Sequence, residues 1–150
     1  MEISLIDIYQ DKNRYYSLLY QLLSEREIDE AISHNTMPTW DEHKTYLDKT
    51  PNKYWFIICA NLTGEKDIPF IPVGSIYLSW KNEVGIAIFK KYRRIGLGKQ
   101  AIIKLIKEFK FPFYIANINP TNQKSIDLFE KLGFTHIQNT YRLENKDAVS

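Results

Sequence analysis

The apolar run Val84 to Phe89 leads into the turn Arg93-Arg94-Ile95-Gly96-Leu97-Gly98-Lys99, and a strongly periodic segment, Gln100 to Phe109, follows at once. This strand, turn and helix constrain the fold more than any other stretch. Ile102, Ile103, Leu105, Ile106 and Phe109 line one face at helical spacing, so the helix has to lie against a sheet or another helix. Two glycines one residue apart let the backbone pass close to a ligand, and the amides that open a helix lack internal partners. With Arg93, Arg94 and Lys99 adding positive charge, the turn is suited to a phosphate.

The other segments read as alternating strands and helices. Glu2 to Ile8 is a first strand. From Asp11 a helix follows, with Tyr15, Leu18, Leu19, Leu22 and Leu23 at i, i+3, i+4, i+7 and i+8, and the polar stretch from Ser24 to Thr36 ends it. Thr39 stands three residues before Glu42, a capping-box pattern that starts a second helix through Asp48. Tyr54 to Ala60 is a buried strand. Val73 to Trp80 and Glu83 to Phe89, joined at Lys81-Asn82, form an antiparallel pair. Phe113 to Ile118 is a further strand, Asn122 to Leu132 a helix stopped by Gly133, and Phe134 to Glu144 an extended closing segment.

The bulk properties exclude several classes. At 150 residues the chain is read as a single domain, 1–150. A net charge of +2 argues against a general nucleic-acid binder. The single cysteine, Cys59, excludes an internal disulfide and sits in the apolar run Phe56-Ile57-Ile58-Cys59-Ala60 as a packing residue. No apolar run reaches the ~20 residues that span a bilayer, and the N-terminus lacks a signal-peptide pattern. A cytoplasmic protein without membrane association is expected.

Three glycine-rich loops compete for the turn. A P-loop needs Ser or Thr after Gly-Lys, and Gln100 stands there. A dinucleotide fold matches Gly96-x-Gly98-x-x-Ala101 formally, but it needs a ribose-binding carboxylate about 20 residues on. That place holds Asn117, Ile118 and Asn119. The third pattern is Arg93-x-x-Gly96-x-Gly98, which resembles the acyl-CoA signature of the GNAT superfamily of N-acetyltransferases. Asn122-Gln123-Lys124-Ser125-Ile126-Asp127-Leu128-Phe129-Glu130-Lys131-Leu132-Gly133-Phe134 resembles a second block of that family, in the expected order and one strand later.

The resemblance implies a mixed α/β (α+β) fold. Its sheet would be mostly antiparallel, of six to seven strands, splayed between the fourth and fifth, with about four helices. It implies acetyl-CoA as cosubstrate, with the pyrophosphate on the amides of Arg94, Ile95, Gly96, Leu97, Gly98 and Lys99, and with Arg93 adding charge. Ile86, Ala87 and Ile88 would line the cofactor arm through their backbone, the Ile88 amide polarising the thioester carbonyl. Asn122 would contact the arm, cap its own helix, or do both. Ser125 would sit beside the cofactor. Phe129 departs from the family pattern, because many relatives carry there a tyrosine that protonates the departing thiolate.

The chemistry also needs a base. Glu83, near the start of the splayed strand, is one candidate, with a solvated strand-end charge as the plainer role. The position where ribosomal-protein relatives place a glutamate appears as Asn117. Tyr141 is a substitute hydroxyl for Phe129. The stretch from Ser33 to His43 would overhang the acceptor, with His34, Trp40 and His43 as substrate-binding residues and His34 also as a candidate catalytic group. His34 and His43 are too far apart for an i, i+4 metal pair, so no metal is expected.

The expected activity is transfer of acetyl directly to a primary amine of a small molecule such as an amino sugar. A protein N-terminus is the alternative acceptor, and a CoA-binding regulatory module the alternative class. A final strand with open hydrogen-bonding groups allows a homodimer.

Overall fold

The computed structural model describes residues 1–26 and 36–147. Four strands, β1 (Glu2–Asp7), β2 (Tyr54–Asn61), β3 (Ile71–Leu78) and β4 (Val84–Ile88), form one antiparallel sheet in the order of the chain. Four helices accompany it among the described residues: α1 (Lys12–Ser24), α2 (Trp40–Asp48), α3 (Leu97–Glu108) and α4 (Gln123–Lys131).

Period-two alternation divides β2 between two cores. Phe56, Ile58 and Ala60 point to one face, where they join Ile76, Leu78 and Val84 and meet Leu97, Ala101, Ile102 and Leu105 of α3 and Phe129 of α4. Ile57 and Cys59 point to the other, against Tyr15, Tyr16, Leu19 and Leu22 of α1 and Leu47 of α2. Side chains as completely buried as Ile58, Leu78 and Leu105 each contribute about 1.5–3 kcal/mol of burial energy. Cys59 is buried and unbonded, a packing residue.

Local signals set the helix ends. Thr39 accepts from the Glu42 amide at 3.2 Å and Glu42 accepts from the Thr39 amide at 3.1 Å, which completes the capping box. Asn122 caps α4 by accepting from the Ser125 amide at 3.2 Å. At the other end the Gly133 amide donates to Glu130 and the Phe134 amide to Phe129, both at 3.0 Å. Gly133, at φ 97°, supplies the left-handed residue this Schellman ending needs. The Phe129 and Phe134 rings, 5.0 Å apart edge to face, add its usual apolar contact.

Two features differ from expectation. The sheet has four strands rather than six to seven. Phe113 to Ile118 makes only a single-residue parallel bridge, Ile115 with Glu83, and 134–144 makes no pairing. In the latter, Ile137, Tyr141 and Leu143 fall on one face of an extended segment, yet all three stand exposed, so no buried face docks the segment on the sheet. The second difference is at the glycine turn. α3 begins at Leu97, not Gln100, so Gly98 and Lys99 lie in its first turn, with Gly96 as the capping residue.

Candidate cofactor and acceptor site

β4 has one paired edge and one open edge. The Ser79 amide donates to the Glu83 carbonyl at 2.9 Å and the Phe89 amide to the Val73 carbonyl at 2.9 Å, so residues of odd number on β4 bond to β3. Residues of even number therefore turn their amides and carbonyls away from β3. The Val84 amide does so and reaches the Ile115 carbonyl at 2.7 Å, while the Ile115 amide reaches the Asn82 carbonyl at 2.8 Å. Pairing with the neighbouring segment stops there. Beyond Glu83 and Val84 no described residue makes a backbone bond to this edge, and the Ile86 and Ile88 amides face into the gap.

The start of α3 lies against the same opening. A side chain at Gly98 would meet Ile86, Leu128 and Ile88 at 3.5–4.0 Å. Gly96 adopts φ 88°, a left-handed conformation that favours glycine, and no side chain caps the helix. The first internal bond is from the Gln100 amide to the Gly96 carbonyl, which leaves the Leu97, Gly98 and Lys99 amides directed outward. These amides carry the positive end of the helix dipole. Arg94 and Lys99 are exposed around them, and Ile95 projects outward between the cations.

Arg93 has a more specific task than its charge alone suggests. Its Nε donates to the Ile88 carbonyl at 2.9 Å, tying the turn to the last residue of β4. Ser125 is partly buried, and its amide is held by Asn122. Phe129 is only 4% exposed and packs into the α3-side core.

On the opposite face of the sheet, Tyr77 of β3 leans across Gly85 of β4. A Cβ at Gly85 would fall within the Tyr77 ring, against Cε1, Cζ and the hydroxyl. Trp55 of β2 flanks the same ring at 5.9 Å, and Tyr46 of α2 flanks Trp55 at 6.4 Å, both edge to face. Burial pushes the Tyr77 phenol above its ordinary range; the nearby Tyr46 and Glu83 push the same way, and Arg26 opposes them. Glu83 is half-buried at the bridge where β4 begins to open, with its amide donating to Ser79 Oγ at 3.0 Å. Its odd-numbered position places it on the Gly85 face, with Ala87. Sequence reasoning missed Tyr77, Trp55 and Tyr46. The available signal was Gly85, a glycine inside a strand, which marks a close approach.

The remaining candidates fall elsewhere. His43 is 5% exposed, its Nε2 lies 3.0 Å from the Tyr16 carbonyl, and its ring packs against Tyr20 at 5.0 Å. Burial lowers its pKa. It joins α2 to α1 as a packing histidine. Trp40 lies over the same contact, 5.2 Å from the Tyr20 ring. Tyr141 is 89% exposed in the unpaired tail. His34 falls outside the described residues. Among the described residues no cluster of His, Cys, Asp and Glu has the composition of a metal site, and no helix is long and apolar enough to cross a membrane.

An open strand edge beside a glycine-flanked helix start with no side-chain cap is suited in shape and charge to a long phosphate-bearing ligand. Residues 10–135 match the acetyltransferase (GNAT) domain family. The chain belongs to that family. No curated protein sequence matches this GNAT chain. Its fold is similar to that of a domain from Methanocaldococcus jannaschii DSM 2661, with TM-score 0.77 and 23% identity over 93% of this chain and 92% of that one. A ribosomal-protein-alanine N-acetyltransferase from Brucella melitensis has TM-score 0.63 and 18% identity over 92% and 86% of the two chains. The Microcin C7 self immunity acetyltransferase MccE, in complex with acetyl-CoA and AMP, has TM-score 0.60 and 17% identity over 89% and 79%.

Proposed function

We propose that this chain is an acetyl-CoA-dependent N-acetyltransferase that moves acetyl directly to a primary amine of a small molecule such as an amino sugar. The observation that carries this reading is the continuity of the open β4 edge with the bare N-terminus of α3. The outward amides of Leu97, Gly98 and Lys99 hold the pyrophosphate, with Arg94 and Lys99 adding charge. The amides of Ile86 and Ile88 meet the arm, and the Ile88 amide polarises the thioester carbonyl. Asn122 and Ser125 border the arm from α4.

The acceptor enters from the Gly85 face, where Glu83 takes its proton. A buried, packed Cys59, with its thiol pushed up by burial, suits direct transfer rather than an acyl-enzyme. A second reading, a CoA-binding module with little catalysis, draws its support from Phe129, which has no proton to give.

Thiol release from acetyl-CoA, measured with amino sugars, polyamines and peptides, separates the two. Amine-dependent release supports the transferase. Acetyl-CoA binding with no release from any amine supports the module.

A further inference from the structure

Transfer of acetyl leaves a thiolate, and the geometry points to one side chain as its proton source. We propose that the Tyr77 hydroxyl protonates the departing thiolate, with Glu83 beside it as the base. This rests on the transferase reading above and assigns the step that Phe129 leaves open.

Three observations converge on Tyr77. Its ring lies across Gly85, a position where any side chain would collide with it, so its hydroxyl is carried over β4 toward the open edge. Gly85 adjoins Ile86, whose amide faces the gap. The hydroxyl makes no hydrogen bond to any described residue, a state it shares with Tyr46, which lies behind Trp55. A phenol that no described residue bonds, with Glu83 near it on the same face, is available to a ligand. Finally, Trp55 packs edge to face on the Tyr77 ring and Tyr46 packs in turn on Trp55, which holds the ring in place.

The step balances without a further reactant. The amine nitrogen bonds to the thioester carbonyl carbon as the carbon–sulfur bond breaks. The nitrogen's proton passes to the Glu83 carboxylate. The Tyr77 O–H gives its proton to sulfur, and the resulting phenolate recovers one from the Glu83 carboxyl. The products are the amide and the free thiol, and both residues end as they began. Burial keeps Tyr77 protonated at neutral pH; Tyr46 and Glu83 act in the same direction, and Arg26 against them.

The test compares the parent, Tyr77→Phe, and the parent carrying 3-fluorotyrosine at position 77. Phenylalanine keeps the ring over Gly85, so melting temperature and acetyl-CoA affinity should stay within error of the parent. Its kcat should fall about 100-fold, the usual size of a lost acid–base group, with KM for both substrates within twofold. Fluorotyrosine, a more acidic phenol, should move the alkaline limb of the kcat profile to lower pH. A Tyr77→Phe variant with parental kcat, in a parent that releases thiol, overturns this assignment alone. An equal loss of acetyl-CoA affinity, or an alkaline limb that ignores fluorination, also overturns it. A parent that binds acetyl-CoA but releases no thiol with any of the amines overturns the transferase reading and this assignment with it.

Discussion

Arg93 Nε donates to the carbonyl of Ile88 at 2.9 Å, so the first residue of the glycine turn holds the last residue of the open strand. The two halves of the proposed cofactor seat, amides on β4 and amides on α3, are fixed relative to each other by this bond. Lysine keeps the charge but lacks the planar nitrogen that makes the contact. Arg93→Lys should therefore weaken acetyl-CoA about tenfold, or about 1.4 kcal/mol, the size of a hydrogen bond to a charged group. Calorimetric titration measures it, and parental affinity would assign Arg93 to surface charge only.

The two turn glycines should respond differently to alanine. Gly96 has nothing within 4 Å of a built Cβ, but its φ is 88°. The cost of Gly96→Ala is conformational, about 1–2 kcal/mol. Gly98 carries no such φ, and its Cβ would meet Ile86, Leu128 and Ile88 at ordinary contact distances. Gly98→Ala should leave stability within about 0.5 kcal/mol, since alanine favours a helix. Denaturant unfolding of both variants tests the contrast.

Restoring a tyrosine at position 129 should not restore a proton donor. Phe129 is the residue whose carbonyl the Phe134 amide closes upon, and its ring is packed against Phe134 at 5.0 Å. A hydroxyl added there enters the core, at a cost of about 1–3 kcal/mol if unpaired. Phe129→Tyr is expected to unfold at lower denaturant with no gain in kcat.

His43 makes stability depend on pH. Its folded pKa lies below the ordinary 6.5 because the ring is buried, so the folded state favours the neutral form. Above about 6.5 neither state is protonated and the full stability is present. As pH falls from there through the folded pKa, the unfolded chain takes up the proton first and stability declines. Tyr16 and Tyr20 face the ring from α1 and Trp40 from α2, with no carboxylate among these contacts. Glu42, whose pKa the Thr39 cap lowers, acts in a separate window below its ordinary 4.5. Urea midpoints between pH 7.5 and 5 should fall for the parent and less for His43→Leu.

The legible parts of the sequence were those with short-range causes. The Thr39 cap, the Gly133 stop and the antiparallel turn at Lys81-Asn82 appear where periodicity and capping chemistry place them, with Asn82 at φ 63°. The strand count was not legible, because 113–118 and 134–144 had local extended character but depended on partners outside themselves. His43 illustrates a different limit. Its place in the stretch that would overhang the acceptor suggested a substrate-binding role, while its carbonyl partner, Tyr16, lies 27 residues away in the chain. Tyr77 stayed hidden for the same reason, since its meaning depends on Gly85 across the ladder.

The most direct measurement is amide chemical shift on titrating acetyl-CoA into isotopically labelled protein. The open-edge account predicts that the largest changes fall on Ile86 and Ile88 and on Leu97, Gly98 and Lys99, and that Gly98→Glu removes both sets. Changes confined to other residues, or none at saturating acetyl-CoA, would contradict it.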